Sequence, residues 1–380
     1  MKVLMIVAQF HPIVGGAETQ ARRLAAELRR QGVTVELWTG RWSRDVPSRE
    51  VVDGVPVERL GPGLALQPRR LRRWLFLGCL FVALLRRGRQ FALIHVHQLL
   101  YPAFAAAVAG RWLGRPVIAR VSSTGSTSDL VMAARGGLGL QRWLTRRLLT
   151  RVVAVNHEAA RECLRFGYRL AQVVHIPNGV PLPVAPAARR RDGDGLRLLY
   201  VGGLRPEKRL EVLLEAWRIA DCPGTLTLVG DGSERAALEA RAGGLRGVRF
   251  AGAVVEVDPF YAASDAFALC SDAEGMSNAL LEAMAWGCAC VATHVGGNVD
   301  ALGGTSEAPP PAGGFANAAA GLLVRVGDAA GLAEALDRLA RDEALCSALA
   351  GAAAQRCRAE YEMAAVARRY RVLYDELAGP

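Results

Sequence analysis

The feature that most limits the fold of this chain is a repeated alternation of short apolar runs with longer helical patterns. In the first half of the 380 residues, helical periodicity recurs at 17–30, at 103–113 and from His157 onward. Short runs rich in Val, Ile, Leu and Ala separate the helical segments, at 3–8, 33–38, 92–96, 116–121 and 152–155. Strands that alternate with helices in this way form a parallel sheet with helices on both faces.

The same alternation restarts after an interruption rich in Pro and Arg at 181–195, which we interpret as a linker between two domains. Residues 303–320 contain three prolines and no periodicity, so we expect a mobile loop there. The second half predicts strands at 196–201, 225–229, 265–269 and 290–293, and helices at 207–220, from Ser233, at 278–286 and between 328 and 377.

The fold predicted from this pattern is α/β, with two Rossmann-like doubly wound parallel-sheet domains at 1–183 and 195–360. Ligands of open parallel sheets bind outside the carboxyl ends of the strands. Because two such domains that face each other place these ends around one interdomain cleft, we expect the active site in that cleft.

Cysteine usage and the absence of export signals favour a cytoplasmic protein. The eight cysteines are scattered, and no pair or Cys/His cluster has metal-ligand spacing, so we expect reduced core residues, with Cys288 and Cys290 buried in a strand. The first residues form a short strand-like run instead of a secretory signal. The longest apolar run, at 74–85, is shorter than the roughly 20 residues that a transmembrane helix needs.

Charge is unevenly distributed along the chain. Residues 1–180 contain 27 lysines and arginines against 10 aspartates and glutamates, a net charge of +17, whereas the remainder carries −6. Seven arginines bracket the run at 74–85, at positions 69, 70, 72, 73, 86, 87 and 89. This pattern suits a helix in the headgroup region of an anionic membrane, and equally a core helix with solvated arginines at its ends. Since no nucleic-acid motif accompanies the charge, nucleic acid is not an expected partner.

The turn after the strand at 196–201 has the composition of a diphosphate site. Glycines, Gly203 among them, allow close backbone approach, and a helix is expected to begin just after them. Arg205 and Lys208 place two cations beside this turn. We therefore expect them to bind the diphosphate of a ligand.

A second polar loop follows the buried strand at 265–269 and leads into an Ala- and Leu-rich helix. Two glutamates, Glu274 and Glu282, flank the start of that helix, and carboxylates accept hydrogen bonds from vicinal hydroxyls. Burying a glutamate among apolar residues is otherwise costly. The expected ligand contacts in this loop come from Glu274, Gly275, Met276, Ser277, Asn278 and Glu282.

The first domain offers weaker candidates. Gly15 and Gly16, in the turn before the first helix, can bring backbone N–H groups against a phosphate. Acceptor-side candidates are His11 in the same turn and Ser122, Ser123 and Thr124 after the strand at 116–121. His95 and His97 lie at the end of a buried strand, and we expect core roles for them.

Five segments, in this order and spacing, resemble the retaining glycosyltransferases of family 4, which have the GT-B fold: FHPIVGGAE, IPNGV, VGGLRPEKR, LVGDGSE and EGMSNALLEAMA. The resemblance extends from residue 2 to about 378. It implies that Glu282 binds the nucleotide ribose, that Glu274 lies near the donor sugar, and that Arg205 and Lys208 bind the diphosphate. It also implies a C-terminal helix, at about 361–380, that packs back on the first domain.

Two positions depart from the family pattern. Many members carry a histidine where this chain has Ser122 and Ser123, and a glutamate where it has Asp300. The family needs no metal or cofactor, and the DGD sequence at 192–194 resembles the metal motif of a different transferase fold by chance.

The resemblance implies transfer of a sugar, with retention, from a UDP- or GDP-sugar to an acceptor in polysaccharide or glycoconjugate synthesis. A lipid-linked acceptor at the inner face of the cytoplasmic membrane suits the basic first half, and a small soluble metabolite or antibiotic is the alternative. The remaining alternatives are a noncatalytic nucleotide-sugar-binding scaffold at the membrane, a hydrolysing epimerase and a dehydrogenase. A dehydrogenase is disfavoured because no GxGxxG follows the first strand of this chain.

Overall fold

The computed structural model describes residues 1–12, 15–63, 69–125, 128–136, 139–184, 195–221, 223–305 and 308–379. The chain divides into two compact units. Met1–Gly179 and Met363–Pro380 form the first unit, and Val180–Glu362 form the second. Most of the expected linker, together with the DGD sequence at 192–194, lies outside the described residues.

One sheet organises the first unit. Its strands are Lys2–Ile6 (β1), Thr34–Gly40 (β2), Arg49–Val52 (β3), Val55–Leu60 (β4), Leu93–Val96 (β5), Val117–Val121 (β6), Arg151–Ala154 (β7) and Val173–His175 (β8). Their order across the sheet is β3-β4-β2-β1-β5-β6-β7-β8. Strands β1, β2 and β4 to β8 pair in parallel, and only β3 pairs antiparallel, with β4.

The β3–β4 hairpin was not part of the sequence interpretation, although the sequence carries a signal for it. Asp53 and Gly54 connect the two strands with φ of 49° and 77°. A two-residue hairpin turn with positive φ at both positions is the type I′ turn that Asp-Gly favours. The adjacent strands are short, and β3 is largely exposed, so the apolar pattern alone does not reveal them.

The helices of the first unit cover both faces of the sheet. In chain order they are Gly16–Arg30 (α1), Arg69–Arg87 (α2), Tyr101–Leu113 (α3), Asp129–Gly136 (α4), Gly139–Leu148 (α5) and His157–Arg165 (α6). Leu4 and Ile6 of β1 pack with α2 and α3 on one face. Val3 and Met5 pack with α1 on the other. Successive side chains of a strand point to opposite faces, so both faces of β1 are buried.

The second unit is organised by a sheet of its own. Its strands are Leu196–Val201 (β9), Gly224–Val229 (β10), Val248–Gly252 (β11), Ala266–Leu269 (β12), Ala289–Thr293 (β13), Phe315–Ala318 (β14) and Gly321–Val324 (β15). The strand order is β11-β10-β9-β12-β13-β15-β14, parallel apart from the β14–β15 pair. The predicted fold class, two doubly wound parallel-sheet domains, is confirmed.

The expected loop at 303–320 contains regular structure. Phe315–Ala318 forms β14 at the sheet edge, antiparallel to β15. Its four residues alternate too little in polarity to be recognised in sequence, so the expectation of an irregular segment was wrong for this part. Residues 306–307 lie outside the described residues.

Helices cover the second sheet as well. They are Leu210–Ala220 (α7), Arg235–Ala242 (α8), Asp258–Ala262 (α9), Asn278–Ala285 (α10), Gly296–Leu302 (α11), Ala329–Arg341 (α12) and Glu343–Arg356 (α13). The helix expected at 207–220 begins later, because Pro206–Lys208 forms a 3₁₀ turn and Arg209 then adopts a left-handed conformation with φ of 52°. A non-glycine residue in that region interrupts the helical hydrogen bonds.

The last helix of the chain, Met363–Ala378 (α14), belongs to the first unit. Its side chains Val366, Tyr370 and Tyr374 are buried in the core that α1 covers. The first unit is therefore assembled from both ends of the chain.

Cysteine burial and helix hydropathy bear on two further expectations. Cys288 and Cys290 are fully buried, and the described cysteines are free thiols. Cys222 lies outside the described residues. None of the described helices has the length and apolar character needed to cross a membrane.

Candidate functional site

The turn after β9 is packed backbone to backbone against the turn after β10. A Cβ atom on Gly230 would lie 1.9 Å from the carbonyl oxygen of Gly202, and one on Gly232 would lie 2.2 Å from that of Leu204. The Leu204 amide also donates to the carbonyl of Asp231 at 3.0 Å. Only glycine fits such approaches, so the LVGDGSE segment serves to hold the turn after β9 in place.

Within that turn, Arg205 and Lys208 occupy different environments. The Arg205 side chain is 62% exposed, and its guanidinium lies 4.0 Å from Glu207. The Lys208 ammonium is 24% exposed and forms a salt bridge of 2.5 Å with Glu274. Gly203 precedes both, and its carbonyl accepts a hydrogen bond from Tyr200 at 3.0 Å. Arg205 therefore offers the more accessible positive charge.

Glu274 is fixed by contacts from two sides. Its Oε1 atom accepts from Lys208 and, at 2.7 Å, from the Ser271 hydroxyl. Ser271 is itself held through its carbonyl, which accepts from Thr293 Oγ1 at 2.7 Å. Asn298 of α11 donates to the Thr293 carbonyl at 3.0 Å. This chain of bonds ties the loop after β12 to β13 and α11, and it sets the position of the Glu274 carboxylate.

The loop at 271–278 also approaches α11 closely. A Cβ atom on Gly297 would lie 2.0 Å from the carbonyl oxygen of Gly275, so glycine is required at 297. Met276 and Ser277 are buried, and Ser277 caps α10 by accepting from the Leu280 amide at 3.3 Å. The first residue of α10, Asn278, is partly exposed.

Glu282 lies within α10 and is oriented by a residue that sequence reasoning missed. Tyr261 of α9 is fully buried, and its hydroxyl donates to Glu282 Oε2 at 2.9 Å. A tyrosine 21 residues before a glutamate gives no sequence signal, because only the packing of α9 on α10 brings the two together. Both predicted glutamates therefore have fixed side chains: Lys208 and Ser271 hold Glu274, and Tyr261 holds Glu282.

In the first unit, the turn before α1 is partly outside the described residues, which omit 13–14. Gly15 is the N-cap of α1, and Gly16 is its first residue. A Cβ atom on Gly15 would lie 2.3 Å from the carboxylate of Glu18, so the glycine leaves room for that side chain. His11 is exposed.

The serines after β6 shape their own loop. The Ser122 amide and the Ser123 hydroxyl donate to the two carboxylate oxygens of Asp129, at 2.6 and 2.9 Å. Burial raises the pKa of Asp129, and these two bonds oppose the rise. Thr124 is buried. Buried Glu162, which sequence reasoning did not single out, accepts from the Gly125 amide at 2.9 Å.

His95 and His97 are fully buried, as expected for core residues. Their rings stack with centroids 4.2 Å apart, and His95 Nδ1 lies 2.6 Å from the Tyr374 hydroxyl. Burial, reinforced by the positive charge of Arg120, lowers the pKa of His95 to about 3 and that of His97 well below its usual value. Both imidazoles are therefore neutral at physiological pH.

Comparison with known proteins connects these two units to one enzyme family. The model described as Glycosyltransferase Family 4 matches residues 14–183, and the model described as Glycosyl transferases group 1 matches residues 195–342. The chain is 27% identical to the phosphatidyl-myo-inositol mannosyltransferase of Mycobacterium leprae, across 100% of this chain and 97% of that protein. It is 28% identical to a glycogen synthase of Mycobacterium tuberculosis, across 97% and 92%.

Solved structures agree on the fold. The Anabaena protein Alr3699/HepE, crystallised with UDP, superposes with a TM-score of 0.76 at 18% identity, covering 99% of this chain and 100% of that one. Sucrose-phosphate synthase from Thermosynechococcus elongatus gives 0.76 at 21% identity, covering 99% of each chain. The family matches and these folds together show that the chain belongs to glycosyltransferase family 4, has the GT-B fold and is a glycosyltransferase.

Proposed function

We propose that this glycosyltransferase takes its sugar from a nucleotide-sugar donor bound by the second unit and transfers it with retention of anomeric configuration. The observation that carries the proposal is the arrangement around α10. Tyr261 holds Glu282, and Lys208 connects Glu274 to the turn that contains Arg205. An anionic ligand with vicinal hydroxyls matches this combination of cations and carboxylates.

In this proposal Glu282 accepts hydrogen bonds from the ribose hydroxyls. The Tyr261 hydroxyl occupies one carboxylate oxygen of Glu282, Oε2, and fixes the direction of the group. A carboxylate whose geometry is set before the ligand binds loses less conformational freedom on binding. Glu274, held by Lys208 and Ser271, contacts hydroxyls of the donor sugar.

Arg205 and Lys208 act on the diphosphate. The bond between the anomeric carbon and the diphosphate oxygen breaks, and negative charge develops on the departing diphosphate. In this proposal the exposed Arg205 guanidinium pairs with that charge. Cations that are fixed in advance stabilise a transition state at little reorganisation cost. The acceptor oxygen bonds to the same face of the sugar, and its proton passes to the leaving phosphate. This route uses neither a metal nor the histidine that Ser122 and Ser123 replace.

UDP- and GDP-sugars are the donors we favour. The Anabaena protein Alr3699/HepE, which has the same fold, has been crystallised in complex with UDP-glucose. A relative 28% identical over 79% of this chain is named a GDP-mannose-dependent alpha-mannosyltransferase, from Mycolicibacterium smegmatis. These two names point to different bases, so the donor panel must include both.

For the acceptor we propose a lipid-linked molecule reached at the inner surface of the cytoplasmic membrane. Helix α2 carries the basis of this proposal. Phe76 and Leu80 on one side of the helix are buried in the core, whereas Trp74 is 70% exposed and Leu71 is 47% exposed beside Arg72 and Arg73. An exposed apolar face flanked by arginines is typical of helices that bind an anionic interface. The side chains of Arg69 and Arg70 lie outside the described residues.

The donor proposal is tested by thermal-shift measurements with UDP, GDP, ADP and dTDP sugars. We expect the sugars of one of these nucleotides to raise the melting temperature of the protein, and Glu282→Ala to abolish this shift. Glu239→Ala, which changes an exposed glutamate of α8, is the matched control. If no sugar nucleotide binds to folded protein, the donor proposal fails.

The membrane proposal is tested by sedimentation with vesicles of phosphatidylglycerol and phosphatidylcholine at low salt. We expect binding to the anionic vesicles that falls with added salt, and a loss of binding in Arg72→Gln/Arg73→Gln. Arg246→Gln/Arg249→Gln removes the same charge from the second unit and should leave binding unchanged. Absence of binding by the unaltered protein would favour a soluble acceptor.

A further inference from the structure

A large cavity lies within the first unit, and none of its described lining residues is assigned to the donor. Its volume is about 990 Å³, and it is bordered by the first turns of α2, the start of α3, α5 and the end of α6. Small-molecule sites in proteins have volumes of roughly 300 to 1,000 Å³. The cavity is therefore large enough for an extended ligand.

Much of the lining is aromatic. Phe104 of α3 and Tyr168, which follows α6, form its more buried parts, and Trp143 and Phe166 are partly exposed to it. Trp74, at the border, is 70% exposed. Clustered aromatic side chains that remain accessible at one cavity are a common sign of a site for an apolar group.

The same cavity has a strongly positive lining. Four arginines contribute to it, and the described lining residues include no aspartate or glutamate. The arginines are Arg73, Arg142, Arg146 and Arg165. Arg146 donates to the backbone carbonyl of Phe166 at 3.2 Å, which holds this guanidinium beside the end of α6. A ligand for this cavity should thus combine an apolar part with an anionic part.

We infer that the cavity binds an amphiphile in which an apolar hydrocarbon chain is joined to a diphosphate. The chain packs against Phe104, Trp143 and Phe166, and the diphosphate pairs with the arginines. Guanidinium groups form paired, charge-assisted hydrogen bonds with phosphate oxygens. A diphosphate carries more negative charge than a single phosphodiester and therefore matches a lining with four arginines better.

This inference rests on the proposed function, because it gives the lipid-linked acceptor a defined binding site and chemical class. It also adds a second role to the first unit. The exposed face of α2 would meet the membrane surface, and the cavity, to which Arg73 and Trp74 of that helix contribute, would hold one lipid molecule taken from it.

Calorimetric titration of the full-length protein with farnesyl diphosphate tests the inference. We expect saturable binding of farnesyl diphosphate, and much weaker binding of farnesol and of inorganic diphosphate. Trp143→Ala and Phe166→Ala should each weaken the binding of farnesyl diphosphate by about tenfold, since each removes apolar area from the site. Both side chains are partly exposed, so the core remains intact in these variants.

Charge variants test the anionic half. Arg146→Gln/Arg165→Gln should weaken farnesyl diphosphate by about tenfold or more and leave farnesol unchanged. The matched controls are Trp112→Ala and Arg111→Gln, two exposed residues of α3 that do not line the cavity. Neither control should alter binding.

Three results would overturn the inference. Equal affinity for inorganic diphosphate and farnesyl diphosphate would show that the hydrocarbon chain does not bind in the cavity. Equal affinity for farnesyl diphosphate and a short-chain phosphatidylinositol would show that the site does not prefer a diphosphate. Cavity variants that bind farnesyl diphosphate as the controls do would show that the ligand binds elsewhere. Nucleotide-sugar binding is measured on the same samples. If the donor binds but farnesyl diphosphate does not, this inference alone fails, and the reverse result supports the cavity and contradicts the proposed donor.

Discussion

Arg205 and Lys208 stand three residues apart, yet their side chains differ in electrostatic environment. Lys208 already has a carboxylate partner in Glu274, whereas the Arg205 guanidinium is 62% exposed and only 4.0 Å from Glu207 at its nearest. We therefore expect Arg205 to stabilise the leaving diphosphate and Lys208 to hold Glu274 as well. In this proposal the two cations of one sequence motif have distinct tasks.

Arg205→Ala should lower kcat by about a hundredfold or more, because removing one fixed group that stabilises transition-state charge has effects of this size. Steady-state kinetics with the donor identified by thermal shift measures the change. Arg218→Ala, an exposed arginine of α7 that pairs with Glu215, serves as the control and should retain normal turnover. Near-normal turnover of Arg205→Ala would contradict the assignment.

Tyr261→Phe should raise the KM for the donor about three- to tenfold and change kcat little. The substitution removes the hydroxyl that donates to Glu282 at 2.9 Å but keeps the buried ring. One hydrogen bond to a charged group contributes about 1.5–3 kcal/mol, and rearrangement of the Glu282 side chain recovers part of this free energy. Tyr370→Phe, which changes a buried tyrosine of α14 outside both proposed binding sites, is the control. A fall in kcat with unchanged KM would show that Tyr261 does not act through donor binding.

At this scale the sequence predicts the candidate donor-site residues but not the contacts that hold them. Glu274, Glu282, Arg205 and Lys208 follow from composition, spacing and family resemblance. The contacts of Ser271, Thr293 and Asn298 with one another, and that of Tyr261 with Glu282, join residues from different elements, so no local pattern encodes them.

At the scale of elements, apolar period and length predict the central strands and most helices correctly. They fail where an element is short or exposed, as for β3 and β14. They also fail where a single residue changes the backbone, as at Arg209, whose left-handed conformation delays α7. The β3–β4 hairpin was recoverable from its Asp-Gly turn, but nothing local in the sequence marks Arg209.

The junction of β5 with α14 makes stability depend on pH. His95 and His97 are neutral in the folded chain, with pKa values below the usual 6.5, whereas unfolding exposes them to water. Between about pH 6.5 and the folded pKa, near 3 for His95, the unfolded state binds more protons. The free energy of unfolding should therefore fall as pH drops through this window, by up to about 1.4 kcal/mol per pH unit for each histidine.

Urea unfolding between pH 7 and pH 4.5 measures this dependence. His95→Gln and His97→Gln should each give a shallower slope than the unaltered protein, whatever their stability at pH 7. Asp129, whose pKa is raised, contributes with the opposite sign but equally in all three proteins. Identical slopes would mean that the imidazoles do not change protonation on unfolding.

For the whole molecule, the two ends of the chain meet in one unit. The first unit needs α14, because the core under α1 is completed by Met363, Val366, Tyr370 and Tyr374. The second unit has its own sheet and contains Arg205, Lys208, Glu274 and Glu282, the main residues of the proposed donor site. Stability of the first unit and donor binding by the second can therefore be separated by a truncation.

Deletion of 363–380 should unfold the first unit and spare donor binding. Burial of one large apolar side chain contributes about 1.5–3 kcal/mol, so the several such side chains of α14 together contribute an amount comparable to the 5–15 kcal/mol by which a domain is usually stable. Limited proteolysis should then cut the truncated chain within 1–179 and leave 195–362 protected by the nucleotide sugar.

Removal of residues 379–380 alone, which follow α14, is the control and should change neither property. If the truncated chain resists proteolysis throughout, α14 is not part of the first core; if protection of 195–362 by the donor is lost as well, the donor site depends on the first unit.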